Sequence, residues 1–272
     1  MLSPEGQLDI FIKRNPCILA DGYYWHALVN TYGKKKEKNV RILCFIVSLP
    51  EQLRFETIQS VITQSVPVEL TMLLTKKSSM PTLTQRIIDA ENDGLKHINN
   101  LRDFDYILKL DGDTILGKDF LKNNLFDSPD TVGAGPAFLI KISPFIEILG
   151  GKFYPDSEDP YVRTRFLMAG KKVRHYYEAP KYVGHHLSLD VPYSVALGRM
   201  YYRLGWTPIH VFHTMFWDIP RSIRHVFLVG SYLLACIMRP KKMDTFSFIR
   251  TYQTKSQTRH IAKIFRRIFR GL

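Results

Sequence analysis

Asp111 and Asp113 stand on either side of Gly112, directly after the apolar run in DYILKLDGDT. Two carboxylates this close repel each other, and a chain avoids the arrangement unless a cation or a hydrogen-bonding ligand sits between them. Gly112 keeps the turn tight and its backbone open to close approach. A calcium loop is excluded, because Ile115 and Lys122 fall where such a loop needs oxygen donors. The plainer alternative is a surface turn with two solvated acids, since Asp-Gly is common in turns.

The elements that position these acids favour a site. NVRILCFIVSLP (Asn39–Pro50) is a buried strand, and VELTMLLT and DYILKL are two more. Between them, Phe55, Ile58, Val61 and Ile62 recur at helical spacing over Glu51–Gln64, and a second helix runs from Leu83 to Ile98. Strand, helix, strand, helix, strand is the pattern of βαβ units around a mostly parallel sheet covered on both faces, an α/β fold. Asp111 and Asp113 then lie at the carboxyl end of a parallel strand, where open α/β sheets bind ligands. Residues 1–38 stay unassigned beyond a short helix start at Ser3-Pro4.

Composition narrows the class. The chain has 272 residues and a formal net charge of +13. Ten Lys or Arg against one acid lie between Arg239 and Leu272, so the excess sits in the tail. Cys17, Cys44 and Cys236 are widely spaced and odd in number, which predicts neither a disulfide framework nor a zinc site. MLSPEGQLDIF lacks a basic stretch followed by an apolar run, so no secretory signal is expected and a reducing, cytosolic setting fits.

Four stretches, taken together, resemble the inverting glycosyltransferases of family 2, which have a GT-A fold. VSLPEQLRFETIQSVITQSVP is similar to that family's opening strand and helix. ENDGLKHINNLRDFDYILKLDGDT resembles its Arg-Asn-x-Gly helix and DxD strand, with Asn92 and Gly94 in place. GAGPAFLIKISPFIEILGGKFYPDSEDPYVRTRFLMAGKKV resembles its acceptor-side segment, and YVGHHLSLDVPYSVALGRMYYRLGW the His-containing stretch that closes the site. The likeness runs from about Asn39 to Trp206. Two departures stand out. LLTKKSS supplies Thr75, Lys76 and Lys77 where the family has acids that hold the base, and Glu91 replaces the Arg before Asn92. Arg86 could replace that Arg only from elsewhere on the helix.

The resemblance implies a GT-A domain over 39–207 that transfers a sugar from a nucleotide diphosphate sugar. Ser48, Pro50, Glu51, Lys76, Asn92, Asp111, Gly112 and Asp113 would form the donor side. Asp113 would bind Mn²⁺ or Mg²⁺ directly, with Asp111 on the donor or on the metal through water, because hard ions take oxygen ligands and neutralise a leaving diphosphate. Either His185 or His186 would complete the metal site. Imidazole suits Mn²⁺ better. Asp159 would be the general base, with Glu158 and Arg163 on the acceptor side. Without the resemblance, DSED also reads as a solvated loop or a helix N-terminus.

After Trp206 come apolar, aromatic segments broken by Asp218, Pro220, Arg221 and Arg224. The longer, of about 14 residues, falls short of the ~20 a span needs. In Arg259–Leu272, Ile261, Ile264, Phe265, Ile268, Phe269 and Leu272 share one helical face and the basic residues the other. This pattern predicts membrane-associating helices over 208–272, and a peripheral or monotopic enzyme at the cytoplasmic face of an anionic membrane with a lipid-linked acceptor. A helix packed on the protein's own core is the alternative; nucleic acid fits less well, for no binding motif is present. Two rival activities remain open, a nucleotidyltransferase and a non-catalytic membrane or nucleic-acid adaptor on a degenerate GT-A fold.

Overall fold

A computed structural model describes residues 17–20, 23–26, 40–49, 52–74, 78–80, 82–154, 159–182, 191–216 and 224–255. The first two strands, β1 (Cys17–Ala20) and β2 (Tyr23–His26), arise from the stretch whose periodicity is too weak to assign. They form a hairpin that docks antiparallel on an edge of the sheet. The centre forms where the apolar runs predict it. β3 (Ile42–Val47) pairs parallel with β4 (Leu70–Leu74) on one side and with β5 (Tyr106–Asp111) on the other. Ile42 through Ile46 are completely buried. Removing a Leu, Ile or Phe side chain from water contributes about 1.5–3 kcal/mol, so this strand anchors the core.

Past β5 the sheet turns antiparallel, a change that no local pattern announces. β8 (Ala137–Lys141) pairs antiparallel with β5 and with β7 (Thr131–Ala134), and β9 (Val173–Arg174) adds parallel to β7. The full order is β1-β2-β4-β3-β5-β8-β7-β9. A separate two-stranded ribbon joins β6 (Thr114–Ile115) to β10 (Lys181–Tyr182).

Helices cover both faces. On one, Ile42, Cys44, Ile46, Leu108 and Leu110 pack with Ile58 and Val61 of α1 (Phe55–Ile62) and with Phe120 and Leu121 of α3 (Phe120–Leu125). The opposite face takes α2 (Leu83–Lys96), where Gly94 brings the helix against Met72 and Leu74. Thr82 caps α2, its hydroxyl accepting from the Gln85 N–H at 3.2 Å. α4 (Ile142–Leu149) ends at Gly150 in the left-handed conformation, φ 66°, and α5 (Asp159–Met168) packs against α4 and β7. The fold class is α/β, a sheet with a parallel centre flanked by helices.

The chain divides into two compact units, Met1–His185 and His186–Leu272. The sequence reading puts the boundary after residue 207, but α6 (Val191–Leu204) lies in the second unit. It crosses α8 (Arg224–Met238) so closely that a Cβ on Gly198 would lie 2.0 Å from Ser231 Oγ. Tyr202 of α6, Val211 of α7 (Pro208–Phe216) and Leu228 and Tyr232 of α8 share one core. No helix among the described residues is long and apolar enough to cross a membrane.

Candidate active site

The two carboxylates sit where the parallel centre ends. Asp111 is the last residue of β5, and the turn that follows is clamped from three directions. The Gly112 N–H donates to the Val47 carbonyl at 3.1 Å, while its own carbonyl accepts from the Arg54 N–H at 2.9 Å and the buried Thr57 hydroxyl at 3.0 Å. A Cβ at position 112 would fall 2.2 Å from Ser48 Oγ, so only glycine fits between the ends of β3 and β5. Ser48 donates its hydroxyl to the Leu49 carbonyl at 2.9 Å. The DxD turn is therefore a rigid junction of β3, β5 and α1.

A second junction reaches Asp159. The Asp111 N–H donates to the Pro136 carbonyl at 2.9 Å, in the Gly133-Ala134-Gly135-Pro136 segment that joins β7 to β8. In the same turn the Gly135 N–H donates to Asp159 Oδ2 in a short hydrogen bond. One tight turn thus holds the backbone of Asp111 and the side chain of Asp159. Gly133 makes this possible: its φ is +77°, and a Cβ there would lie 2.0 Å from the Tyr176 ring. The Tyr176 hydroxyl reaches the Ala134 carbonyl at 2.8 Å, and burial pushes its pKa up to about 12, so it stays a proton donor. Arg163, one turn into α5, donates from Nη1 to the Gly133 carbonyl at 2.5 Å.

Asp159 opens α5, with Pro160 behind it at a position where no N–H is needed. A carboxylate at a helix N-terminus is favoured by the partial positive charge there. Its side chain keeps one-tenth of its surface open, and Oδ1 lies 3.5 Å from Lys109 Nζ. Lys109 also pairs with Glu91 Oε1 at 3.7 Å, and neither side chain is more than 5% exposed. Lys109 points to the same face of β5 as Asp111, two residues on. Burial pushes Asp111 up to about 6; Lys109 works against the rise, and Asp159 and Asp113 add to it.

These observations test the fit of a divalent ion. The partly buried Asp111 gains by meeting a positive charge, and paired carboxylate oxygens are the donors that Mg²⁺ and Mn²⁺ take. Among the described residues no group of three or more His, Cys, Asp or Glu could hold an ion. The two acids fit such an ion when further oxygens, such as those of a diphosphate, complete its shell.

Of the residues expected at the site, the structure brings Ser48, Asp111, Gly112 and Asp113 to one strand end, and links them through the β7–β8 turn to Asp159 and Arg163. Pro50, Glu51, Lys76, Glu158, His185 and His186 lie outside the described residues. β10 places Tyr182 opposite Thr114, the residue after Asp113. Asn92 is engaged with backbone. Its amide donates to the Phe153 carbonyl and accepts from the Phe153 N–H, each at 2.8 Å, pinning the chain that leads towards Asp159.

Arg86 is exposed on α2. Glu91, at the position of the Arg expected before Asn92, faces Lys109. The motifs in the sequence assign no role to Lys109, Thr57, Gly135 or Tyr176. Only Lys109 carried a signal, a lone cation inside an apolar strand.

No protein-family model matches the chain. No curated protein matches it in sequence either. Among solved structures, it is similar to the mannosyltransferase PcManGT from Pyrobaculum calidifontis in complex with GDP-Man and Mn²⁺, at 12% identity and a TM-score of 0.46, over 93% of this chain and 88% of that one.

Proposed function

We propose that the chain is a divalent-metal-dependent, inverting glycosyltransferase that moves a sugar from a nucleotide diphosphate sugar to a lipid-linked acceptor. The observation that carries this reading is the single turn tying Asp111 of the DxD junction to the buried Asp159 carboxylate. Asp113 and Asp111 would hold Mn²⁺ or Mg²⁺ together with the donor, and His185 or His186 would be a further ligand. When bound, the ion neutralises charge on the departing nucleoside diphosphate. We assign donor binding to Ser48, and on the sequence resemblance alone to Pro50, Glu51 and Lys76 as well.

Inversion requires the acceptor oxygen to attack the anomeric carbon from the face opposite the leaving group and to lose its proton. An ionised carboxylate accepts about four hydrogen bonds. Gly135 and Lys109 occupy only part of that capacity on Asp159, which leaves room to take the proton. Arg163, and on the sequence resemblance alone Glu158, are assigned to acceptor binding.

Metal-dependent release of product from a panel of nucleotide sugars tests the reading. Nucleoside diphosphate is the expected product. Pyrophosphate would instead show a nucleotidyltransferase, and no release with any donor would leave an adaptor.

The exposed apolar residues of the second unit support the proposed placement at a membrane surface, and the cytoplasmic face is the side we propose. α8 turns Leu228, Val229, Tyr232 and Ala235 inward but leaves Val226, Phe227, Leu233, Leu234, Ile237 and Met238 exposed, Ile237 by 78%. Arg239, Lys241 and Lys242, also exposed, follow at its end. An apolar face beside clustered cations suits an anionic bilayer surface. The amphipathic stretch 259–272 lies outside the described residues.

The full chain is expected to pellet with anionic vesicles and to be only partly released by salt, since screening removes the charge contribution alone. Leu234→Glu with Ile237→Glu should weaken that binding at least about tenfold, because two apolar contacts become charged. Failure of the wild type to pellet at low salt would overturn the placement. A truncation after Pro240 would be a poorer test, because Gln253 Oε1 accepts from the Thr207 N–H at 2.7 Å and belongs to this unit's fold.

A further inference from the structure

We infer that Lys109 is a positioning residue that fixes the Asp159 carboxylate on the Gly135 amide, and that Glu91 holds Lys109 in place to do so. This rests on the reading of Asp159 as the group that takes the acceptor's proton.

The placement is unusual for a lysine. Lys109 sits in the middle of a central strand, between Leu108 and Leu110, with its neighbours across the sheet Phe45 and Phe138. It is 4% exposed and Glu91 is completely buried. Burying one cation and two carboxylates is costly, and replacing such a group by apolar residues of similar volume is often neutral or stabilising. Stability alone therefore gives little reason for the arrangement, whereas orientation does. Lys109 lies 3.5 Å from Asp159 Oδ1 and 3.7 Å from Glu91 Oε1, so the three groups form a line running from α2 through β5 to the first residue of α5. Asp159 is then held at both oxygens, by a cation at Oδ1 and by the Gly135 N–H at Oδ2. Two fixed points set both the rotamer and the ring of lone pairs left for a proton. Gly135 is locked to the strand end carrying Asp111 by the next residue's carbonyl, so the carboxylate is placed relative to the donor side as well.

The structure also gives the reason for Glu91 where an arginine is expected. A cation there would lie against Lys109 and repel it. With an anion on α2, the positive charge beside Asp159 is delivered by Lys109 of β5.

Lys109→Met alone could leave Glu91 buried against an apolar neighbour and unfold the protein, so the test uses Glu91→Gln with Lys109→Met. Folding is confirmed by a cooperative melt, and two readouts follow. First, the Gly135 amide is observed by NMR in uniformly ¹⁵N-labelled full-length protein. In the double variant its proton resonance should move upfield, towards its position in Asp159→Ala, because the carboxylate leaves it. A resonance that stays at its wild-type position overturns the inference.

Second, transfer is measured with a hydroxyl acceptor. The double variant should lose at least about tenfold in kcat, with KM for the donor unchanged, since misplaced groups lose rate rather than ground-state binding. Added to Asp159→Asn, the same two changes should cost nothing more, because Lys109 acts through that carboxylate. A full loss repeated in the Asp159→Asn background, or wild-type kcat in the double variant, overturns it as well. If the wild type transfers no sugar while the Gly135 resonance shifts as expected, the glycosyltransferase reading fails and the positioning contact stands.

Discussion

Asp159→Asn is expected to bind nucleotide sugar almost as the wild type does and to transfer it to a hydroxyl acceptor at least about a hundredfold more slowly. General-base catalysis by a positioned carboxylate supplies about 10²–10⁴-fold, and an amide cannot take the proton. The fold should tolerate the change. Asparagine keeps an oxygen to accept the Gly135 N–H, and Lys109 keeps Glu91 as a partner. A thermal melt close to wild type together with near-normal donor affinity would assign the loss to chemistry. An acceptor that is already an anion, such as a phosphate, needs no base, and the variant should then lose little. Near-normal turnover with a hydroxyl acceptor rules Asp159 out.

Asp113→Ala is expected to abolish the part of nucleoside diphosphate binding that depends on Mn²⁺ or Mg²⁺. Losing an outer-shell partner of a metal typically costs about 10–100-fold in affinity, and losing a direct oxygen ligand should exceed that. Calorimetric titration with and without the ion reads the effect, and undiminished Mn²⁺-dependent affinity would remove Asp113 from the metal site.

The same titration, run with a nucleotide sugar because the terminal phosphate of a free diphosphate itself titrates at about pH 6, carries a pH signature in the wild type. Burial pushes Asp111 up to about 6, so below that pH the carboxyl holds a proton. Proton and cation compete for it, which means that metal-dependent affinity should fall as pH drops below about 6, approaching tenfold per unit. Above that value Asp111 is ionised and the affinity should level off. Asp111→Asn should remove this dependence along with most of the binding.

The architecture was legible in the sequence to the extent that it is local. Ile42–Val47 is apolar without interruption and Leu70–Leu74 is broken only by Thr71, as suits strands buried on both faces, and Phe55, Ile58 and Val61 recur along α1 at its own period. Because strand and helix alternate, the chain must place the end of β5 at the ligand-binding edge of a parallel sheet. The position of Asp111-Gly112-Asp113 at that edge therefore follows from the sequence. Asp159 could not be reached in this way. Its four-letter surroundings are those of any solvated helix start, and only the likeness of the whole segment singled it out.

The tertiary structure decided which groups meet. Lys109 and Asp159 are 50 residues apart, and the two ends of the Asn92–Phe153 clamp are 61 apart. No periodicity encodes such pairs; they follow from the register of β5 against β8 and from where α2 and α5 lie on the sheet. The antiparallel turn after β7 is likewise invisible locally, yet it is what joins Asp111 to Asp159 through Pro136 and Gly135. Lys109 shows the division most plainly. Its type and position in an apolar strand declared that a buried cation needs anions nearby, because an isolated charge there is too costly to keep. Which anions would answer, Glu91 from one helix and Asp159 from another, was settled only when packing closed that face of the sheet.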